Sequence, residues 1–295
     1  ASTIATPLRR LSAAAIRVRR GVNERTAIPD FGDRADEVGN LATALRDMTN
    51  SLYARMDAIE TFAADVSHEL KNPLTSLRSA VETLPLARTD ASRERLLDII
   101  QHDVRRLDRL ITDISDASRL DAELARQIAS KVDLSQLLRA VVEGARSQSK
   151  PDRQGSITFD KQALPGSIKD GYVVTGHDLR LSQVFTNLIE NARSFVPETN
   201  GRIDVLLRRR NSRVVIVVED NGPGIQAEII DRIFERFYTD RPSAEAFGQN
   251  SGLGLSISRQ IVEAHGGTIR AENIADSDAP NGVAGARFIV SFPAE

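Results

Sequence analysis

The sequence predicts a multidomain protein in which all-α segments are followed by an α+β domain. Apolar residues recur at alternating three- and four-residue intervals from Val38, a spacing typical of a coiled-coil seam. Two further helical stripes indicate a helical hairpin. The β-branched runs that follow alternate with helical stretches, as in layered α+β domains. We therefore predict three domains, over residues 1–55, 56–124 and 125–295.

The composition limits the classes of function. A chain of 295 residues can hold two or three domains, and a net charge of −2 gives no indication of nucleic-acid binding. The absence of cysteine excludes disulfides, thiol catalysis and cysteine-ligated zinc. No apolar run approaches the roughly 18 residues that cross a bilayer, and no secretory signal is visible. Because the chain starts with Ala1 rather than Met, we expect it to be part of a longer protein.

The first 55 residues are expected to form two short helices joined by an extended link. The first helix should begin near Pro7, because proline suits the first turn, where no amide donor is needed. The link, residues 21–34, contains helix-breaking Gly and Pro residues. The second helix is expected to start at Asp36-Glu37-Val38-Gly39, since acidic side chains stabilise a helix N-terminus.

The coiled-coil seam contains a step that departs from the heptad. Its apolar positions are Val38, Leu41, Leu45, Met48 and Leu52. The next heptad position is Arg55, while Met56 resumes the apolar stripe one residue later. Such a four-residue step is a stutter, which locally unwinds a coiled coil. The sequence leaves open whether the stutter transmits rotation between modules or is only a local unwinding.

Residues 56–124 are predicted to form two antiparallel helices. The first ends near Pro85, and Thr89-Asp90 can cap the second. Buried stripes are predicted at Val66, Leu70, Leu74, Leu77, Val81 and Leu84, and at Leu96, Ile100, Leu107, Leu110, Ile114 and Leu120. Because a lone two-helix hairpin buries too little apolar surface to be stable, we expect a homodimeric four-helix bundle.

His68 is the histidine most suited to chemistry. It lies two residues from both Val66 and Leu70, about 200° around the helix, so it should face solvent. Asn72 lies four residues on and shares its face. The adjacent Glu69 can hold one ring nitrogen as N–H and stabilise the cation that forms when the other nitrogen attacks. An exposed His beside Glu is also common on ordinary helices.

The other three histidines are predicted to be structural. His102 should be a surface residue of the second hairpin helix, and His177 should lie in a loop before a helix. His265 precedes two glycines and fits a helix C-terminus, where a partial positive charge is favoured.

Two glycine-rich segments indicate a nucleotide site. Asp220-Asn221-Gly222-Pro223-Gly224 follows an apolar strand, where a carboxylate can accept a hydrogen bond from an adenine amino group. An ordinary turn would use the same residue types. Gly252-Leu253-Gly254 opens a helix, whose free amides can bind an anion. The pattern is neither a Walker loop nor a Rossmann fingerprint.

Two asparagines one helical turn apart, Asn187 and Asn191, can hold hydrated Mg²⁺ and phosphate oxygens, although they can also be plain surface amides. The turn Phe234-Glu235-Arg236-Phe237-Tyr238 precedes residues 239–251, which include Gly248. This arrangement indicates a nucleotide lid anchored by aromatic residues, with a plain surface loop as the alternative.

These motifs, in this order and spacing, resemble those of bacterial sensor histidine kinases over essentially the whole chain. Residues 1–55 are similar to a HAMP linker and residues 56–124 to the HisKA-type phosphoacceptor hairpin, including Phe62 and Ser67 to Thr75. Residues 125–295 are similar to the GHKL (Bergerat) ATP-binding domain shared with gyrase and Hsp90-type ATPases. The matching motifs are Asn187 and Asn191 (N box), Asp220 to Gly224 and Gly252 to Gly254 (glycine boxes), and Phe234 to Phe237 (F box). Asn191 to Phe195 resembles ChvG-like envelope-stress sensor kinases.

The resemblance implies roles for these residues. His68 would take the γ-phosphoryl group of ATP with Glu69 as acid/base helper, and the group would pass to an aspartate of a response-regulator receiver domain. Glu69 and Asn72 match a phosphatase pattern in which Asn72 orients the attacking water. Asn191 would ligate Mg²⁺. The implied nucleotide-binding residues are Asn187, Asn191, Asp220, which would read adenine, Gly222, Gly224, Arg236, Gly252, Leu253 and Gly254.

The sequence also departs from the family pattern. Ser194 and Thr239 stand where the family often has basic residues, so Arg193 or Arg180 would have to supply the charge. A hydrolytic ATPase of the gyrase/Hsp90 class usually has Glu at the position of Asn187, so steady hydrolysis is not expected. A non-catalytic coiled-coil scaffold would leave the nucleotide motifs unexplained.

The resemblance further implies a place at the membrane. The full-length protein would be anchored through segments N-terminal to this chain, and the chain itself would be soluble on the cytoplasmic side of the inner membrane. Arginines near the N-terminus would suit the cytoplasmic membrane face, although they also fit an ordinary basic helix face. They are Arg9, Arg10, Arg17, Arg19 and Arg20.

Overall fold

The computed structural model describes most of the chain, which divides into two compact units, Ala1–His68 and Glu69–Glu295. The described residues are 2–19, 27–31, 34, 36–126, 129–148, 154–162, 171–238, 251–276 and 282–294. The predicted lid apart from its last residue, Ser251, lies outside them, and so do Thr239, Gly248 and the middle of the predicted link.

The first unit contains α1, Ser2–Arg19, and the start of α2, Glu37–Thr83. Its small core joins both helices and is formed by Leu11, Ala14, Ile28, Val38 and Ala42. The expected start at Pro7 is wrong, because α1 begins at Ser2 and Pro7 lies inside it. Proline removes only one backbone donor, so the helix continues through it with one hydrogen bond fewer.

Asp36 caps α2, as the sequence predicts. Its Oδ1 accepts the Gly39 amide at 3.1 Å, and its Oδ2 accepts the Arg34 guanidinium at 2.6 Å. These hydrogen bonds, the one from Arg34 most of all, hold the pKa of Asp36 below its ordinary value. The helix then runs unbroken past Met56 and Pro73 to Thr83, so the stutter is built into a continuous helix.

The coiled-coil seam is only partly covered within one chain. Val38 is buried and Leu45 packs against the same core, whereas Leu41, Met48 and Leu52 are 50%, 62% and 45% exposed. A contiguous row of exposed apolar side chains on a helix indicates a surface that another helix covers.

The hairpin turns through a 3-10 segment, Leu84–Leu86, into α3, Asp90–Arg126. The predicted cap is confirmed, because Thr89 Oγ1 accepts the Ser92 amide at 3.2 Å. In a single chain, however, Leu74 and Val81 of the predicted α2 stripe are not covered, so their predicted burial stays a prediction for the expected homodimer. Pro73 and Ala80 are buried instead, while Leu74 and Val81 are more than half exposed.

A matching exposed stripe runs along α3 at Leu97, Val104 and Ile111, while Leu110 and Leu120 are fully buried. These three exposed residues are spaced by seven, as are Leu74 and Val81 on α2. Heptad spacing is the sequence signal for a second helix-packing face, and the stripe prediction did not use it.

The remainder of the second unit is an α+β layer structure. Within its described residues, three helices and seven strands occur in the order β1 Ser130–Asp133, α4 Leu134–Ser147, β2 Gln154–Lys161, β3 Val173–Gly176, α5 Asp178–Phe195, β4 Thr199–Arg210, β5 Arg213–Asp220, α6 Gly254–Ala264, β6 Thr268–Ala275 and β7 Val283–Pro293. The five-stranded sheet has the order β2-β4-β5-β7-β6, with β2 and β4 parallel and the other pairs antiparallel. A separate antiparallel ribbon joins β1 to β3.

One face of the sheet carries the core. Along β5 every second residue is buried, namely Val214, Ile216, Val218 and Asp220, which is the period of a strand with one covered face. These apolar side chains share a core with residues of α4, α5 and α6. The strand therefore delivers its last inward residue, the carboxylate of Asp220, to the edge of the core.

The opposite face of the sheet forms an open groove of about 410 Å³, lined by apolar residues such as Val217 and Ile289 and by arginines such as Arg208 and Arg270. This groove contains none of the residues predicted to bind nucleotide or to carry phosphoryl chemistry. The candidate site must therefore be sought at the helix-covered face and the loops that leave it.

Candidate functional site

Asp220 is the buried acid of the candidate nucleotide site. It is 7% exposed, and its Oδ1 accepts the amides of Gly222 at 2.9 Å and Ala286 at 3.4 Å. Its Oδ2 accepts no hydrogen bond from any residue that the structure describes. Burial raises the pKa of Asp220, and the two amides partly offset that rise. One oxygen is thus fixed by the backbone and the other remains able to accept a hydrogen bond from a ligand.

The loop after Asp220 is tied to its neighbours by two asparagines. Asn221 accepts the Arg202 amide at 2.7 Å and donates to the Asn200 carbonyl at 2.8 Å. Asn273 of β6 accepts the Ile225 amide and donates to the Ile225 carbonyl, both at 2.7 Å. These bonds give Asn221 a structural role and fix both ends of the glycine segment.

Two glycines in this region have no room for a side chain. Gly224 has a φ of +80°, and a Cβ there would lie 2.4 Å from Val283 Cγ1. Gly285 of β7 has a φ of +152°, and a Cβ there would lie 1.8 Å from the carbonyl oxygen of Asp220. Backbone therefore approaches backbone directly beside the acid, which only glycine permits.

The second glycine segment is held by the F-box aromatic residues. The Phe237 amide donates to the Gly252 carbonyl at 2.9 Å, and Phe237 itself has a φ of +59°. The Leu253 side chain is fully buried in the core, so only its backbone can serve a ligand. The Leu253 amide donates to the Oγ of Ser251 at 3.2 Å. The helix α6 then begins at Gly254, as predicted.

The asparagine pair on α5 is brought to this helix start. Asn187 Nδ2 donates to the Gly254 carbonyl at 3.2 Å and lies 3.4 Å from Ser258 Oγ. Asn187 Oδ1 accepts no hydrogen bond from a described residue. Asn191, one turn further on, is half-buried, and its side-chain amide forms no hydrogen bond within the described part of the chain. The structure therefore joins the N box to the second glycine box.

The predicted cations have different surroundings. Arg193 donates to Glu190 at 2.7 Å and to the Ala145 carbonyl, which engages its guanidinium on the α4 side. Arg180 donates to Gln183 at 2.8 Å. Arg236 is exposed. The nearby Phe234 is buried, and the Arg259 guanidinium lies over its ring, 4.4 Å from the ring centre. A triphosphate contact by Arg236 stays a prediction.

A contact with α3 closes one side of the second glycine segment. Asp113 of α3 lies beside the side chain of Ser251, which partly offsets the rise in its pKa, and Asp116 accepts a hydrogen bond from Gln183 at 3.2 Å. Burial, with a further contribution from the nearby Asp116, raises the pKa of Asp113. The hairpin helix thus contacts the nucleotide domain through two carboxylates, a contact that helical periodicity does not reveal.

The candidate phosphoacceptor region lies on α2. His68 and Asn72 are both exposed, as predicted from their position relative to the apolar stripe. Glu69 is half-buried, and its Oε2 accepts a hydrogen bond from Arg106 Nη2 of α3 at 3.0 Å. This ion pair joins residues 37 positions apart, so the sequence offered no signal for it.

His265 is neutral rather than positively charged, which corrects the expectation of a charged helix terminus. Its Nδ1 donates to the Ile261 carbonyl at 2.7 Å, and its Nε2 accepts the His177 amide at 3.1 Å. Burial lowers the pKa of His265, with a smaller contribution from His177. The Ile261 carbonyl can accept this hydrogen bond from an uncharged ring, so it does not require a positive charge on His265. Burial therefore favours the neutral imidazole. The predicted structural role of both histidines agrees with this geometry.

Three family models match the chain in succession. The HAMP domain matches residues 1–54, the His Kinase A (phospho-acceptor) domain residues 58–123, and the histidine kinase-, DNA gyrase B-, and HSP90-like ATPase residues 176–295. Over 99% of its length the chain is 67% identical to sensor protein ChvG of Rhizobium meliloti (strain 1021), of which it covers 50%. The chain belongs to the sensor histidine kinases.

Two further proteins are similar in sequence to this chain. It is 66% identical to sensor protein ChvG of Agrobacterium fabrum over 99% of the chain and 49% of that protein. It is 35% identical to the histidine-protein kinase/phosphatase MprB of Mycobacterium leprae over 94% of the chain and 51% of that protein. The kinase chain therefore spans about half the length of the relatives it matches.

Solved structures share the fold. Histidine kinase ThkA in complex with response regulator protein TrrA is 24% identical, with a TM-score of 0.61 over 88% of this kinase and 68% of that chain. Full-length ShkA in complex with AMPPNP is 25% identical, with a TM-score of 0.51 over 78% of this kinase and 45% of that chain. The predicted order of helical segments followed by a GHKL-type α+β domain is confirmed.

Within the kinase, the predicted nucleotide residues fall into two groups that the fold brings to the loops around β5, α5 and α6. Asp220, Gly222 and Gly224 form one group, and Asn187, Asn191, Gly252, Leu253 and Gly254 the other. Sequence reasoning missed Asn273 and Gly285, which hold the first group in place. Gly285 lies in a Gly-Val-Ala-Gly run, where a glycine inside a strand pattern signals close backbone approach.

Proposed function

We propose that this kinase phosphorylates His68 from ATP and passes the phosphoryl group to an aspartate of a response-regulator receiver domain. The proposal is carried by the set of loops around β5, α5 and α6, which hold the buried Asp220, the glycine segment that follows it and the contact between Asn187 and Gly254. The family match over all three segments supports the same reaction. The residues named below are assigned on chemistry and position.

Adenine recognition is assigned to Asp220. Its Oδ1 is held by two backbone amides, so Oδ2 can accept a hydrogen bond from the exocyclic amino group of adenine. The nearby Gly222 and Gly224 leave the backbone bare, which allows a flat base or a sugar to approach closely. Gly252, Leu253 and Gly254 would present backbone amides at the start of α6 to the phosphates, with the Leu253 amide exchanging Ser251 Oγ for a phosphate oxygen.

The donor set of α5 fits Mg²⁺. Asn187 uses its Nδ2 to hold the Gly254 carbonyl, which leaves its Oδ1 as an oxygen ligand, and the amide of Asn191 is free of hydrogen bonds within the described residues. Mg²⁺ prefers oxygen ligands and retains several waters, so one or two amide oxygens suffice. When bound, the ion would neutralise part of the triphosphate charge. Asn191 is the proposed ligand, with Asn187 positioning the helix start.

The phosphoacceptor chemistry is assigned to consecutive residues of α2. One imidazole nitrogen of His68 attacks the γ-phosphorus, the bond to the bridging oxygen breaks, and ADP leaves. Glu69 holds the N–H of the other ring nitrogen and stabilises the imidazolium that forms. In the phosphatase reaction, water would hydrolyse the phosphoaspartate of the receiver domain and release inorganic phosphate, and Asn72 would orient the attacking water.

A homodimer is the proposed active assembly. Leu74 and Val81 on α2 and Leu97, Val104 and Ile111 on α3 remain exposed in one chain although they recur at heptad spacing. A second hairpin would cover both rows and complete a four-helix bundle. The exposed seam residues of the HAMP segment would be covered in the same way.

Membrane attachment of the full-length protein is also a proposal. No helix in the described residues combines the length and apolar character that a bilayer span requires. Arg9, Arg10, Arg17 and Arg19 are exposed along α1, which suits a position beside an anionic membrane surface on the cytoplasmic side. Binding of a peptide of residues 1–19 to vesicles with and without anionic lipid tests this; equal binding would contradict it.

Incubation of the chain with [γ-³²P]ATP and Mg²⁺ tests the proposed reaction. We expect acid-labile, alkali-stable label, lost in Asn191→Ala and retained in Thr186→Ala, a matched change at an exposed position of the same helix. Label that persists in Asn191→Ala would contradict the Mg²⁺ assignment. ATP binding without any label would contradict the kinase reaction itself and favour a nucleotide-regulated scaffold.

A further inference from the structure

Arg106 reaches across the hairpin to the proposed acid/base residue. Its Nη2 donates to Glu69 Oε2 at 3.0 Å, and the two side chains are only 19% and 25% exposed. A partly buried ion pair of this kind restricts both side chains more than a solvent-exposed pair does. The carboxylate of Glu69 is therefore held from α3, the helix opposite the one that carries it.

A second acid lies on the same face of α3, one turn before Arg106. Asp103 is 7% exposed, and its Oδ2 is buried without a hydrogen-bond partner in the described structure. Arg106 Nε is likewise buried and makes no hydrogen bond with any described residue. Residues three apart on a helix lie side by side, so an unused acceptor and an unused donor are neighbours.

Buried polar atoms without partners are uncommon and are expected to form bonds when a rotamer change allows it. Arg106 has five donor hydrogens, more than the single contact with Glu69 uses. Glu69 and Asp103 are thus both candidate acceptors for one guanidinium. Glu69 lies beside His68 in the sequence, whereas Asp103 has no role in the proposed reaction.

We propose that Arg106 is a positioning residue that exchanges between Glu69 and Asp103 and so controls the availability of Glu69 to the His68 imidazole. While Arg106 holds Glu69, that oxygen is withheld from the imidazole. When Arg106 turns to Asp103, Glu69 is released to orient the ring and stabilise the cation. This inference rests on the proposed function, because it assigns a control to the same phosphoacceptor site.

The test is a double-mutant cycle on autophosphorylation, measured as kcat and as KM for ATP. Arg106→Gln should raise kcat by at least about twofold, the lower range of coupling between contacting residues, with KM unchanged. Asp103→Asn removes the negative charge of the competing acceptor, which weakens its attraction for Arg106, and should lower kcat. Both effects should disappear in the Glu69→Gln background. Arg105→Gln, a change at the adjacent exposed arginine, should leave kcat unchanged.

Additive effects of Arg106→Gln and Glu69→Gln, or a kcat in Arg106→Gln equal to that of Arg105→Gln, would overturn the inference while wild-type labelling upholds the kinase reaction. An unlabelled wild-type chain would overturn both. If circular dichroism shows that Arg106→Gln unfolds the hairpin, the kcat of Asp103→Asn tests the inference instead, because that variant keeps the ion pair between Arg106 and Glu69. An unchanged kcat there contradicts the exchange.

Discussion

The Gly222 amide donates to Asp220 Oδ1 at 2.9 Å, which fixes one oxygen of a nearly buried carboxylate at the mouth of the glycine loop. Nothing in this bond requires a negative charge, because an amide side chain has an equivalent acceptor. The chain nevertheless has an acid at this position. Burial raises the pKa of Asp220, which means that folding disfavours its ionised form. A residue that weakens its own fold in this way is a candidate for ligand binding.

Asp220→Asn should weaken ATP binding and strengthen the fold. A raised pKa in the folded state means that ionised Asp220 reduces stability as pH rises above the ordinary carboxyl value of 3.8. The neutral amide removes that cost but offers adenine the wrong partner. We expect a higher midpoint of thermal unfolding at pH 8 and a loss of ATP affinity of at least about tenfold, comparable with an unmatched buried polar contact. Asp204→Asn, at a partly exposed carboxylate, is the control.

A lower unfolding midpoint in Asp220→Asn at every pH would contradict the assignment, because it would make Asp220 a structural acid. The gain over wild type should shrink as the pH is lowered through the raised pKa of folded Asp220 and should vanish below the ordinary value of 3.8, where the acid is neutral in both the folded and the unfolded chain.

The fold should lose stability in mild acid through His265. Its pKa is lowered in the folded state, so the unfolded chain binds the extra proton first, and stability falls as pH drops below about 6.5. Thermal unfolding between pH 7.5 and pH 5.5 measures this slope. His265→Phe should be less stable at pH 7.5, where two hydrogen bonds are lost, but should show a smaller slope. A slope in His265→Phe equal to that of the wild type would refute the role of His265.

Gly285→Ala should damage the fold beside Asp220. A Cβ at this position would lie 1.8 Å from the Asp220 carbonyl oxygen, so β5 and β7 would have to separate. We expect a loss of at least about 2 kcal/mol in the free energy of unfolding. At Gly144 of α4 a Cβ would contact nothing within 4 Å. Gly144→Ala should therefore be neutral or stabilise by up to about 1 kcal/mol, and equal losses in the two variants would contradict the packing described.

Val104→Glu should weaken the homodimer. Val104 is 52% exposed in one chain, and the proposed bundle would bury it against a second hairpin. An unpaired charge there should raise the dimer dissociation constant by more than about tenfold, as measured by analytical ultracentrifugation. Arg95→Glu lies nine residues away, on the opposite side of the helix, and should leave the constant unchanged. An unaffected dimer in Val104→Glu would show that another surface forms the assembly.

The elements that sequence reasoning located have strong local signals. The apolar strand predicted before Asp220 is β5, and the helix predicted to carry Asn187 and Asn191 is α5. The ribbon of β1 and β3 was missed, because each strand has four residues and is stabilised by pairing with a distant segment.

The candidate site shows the same division. The glycines, Asp220 and the asparagine pair were found because their chemistry is local to short motifs. The hydrogen bonds of Asn273 to Ile225 and of Arg106 to Glu69 join residues 48 and 37 positions apart. Neither the periodicity nor the composition of the sequence predicts these hydrogen bonds, because the paired residues come together only when the sheet and the hairpin form. The positions that orient the site were therefore the ones missed.

Peptide mapping of the chain after reaction with ATP and Mg²⁺, at neutral to alkaline pH to preserve phosphohistidine, locates the phosphoryl group directly. We expect a single modified peptide, with the group on the imidazole of His68. The modification should be absent in His68→Ala and unchanged in His102→Ala, which alters the other histidine of the hairpin. A phosphoryl group on His102, or one that survives in His68→Ala, would contradict the assignment of His68 as the phosphoacceptor.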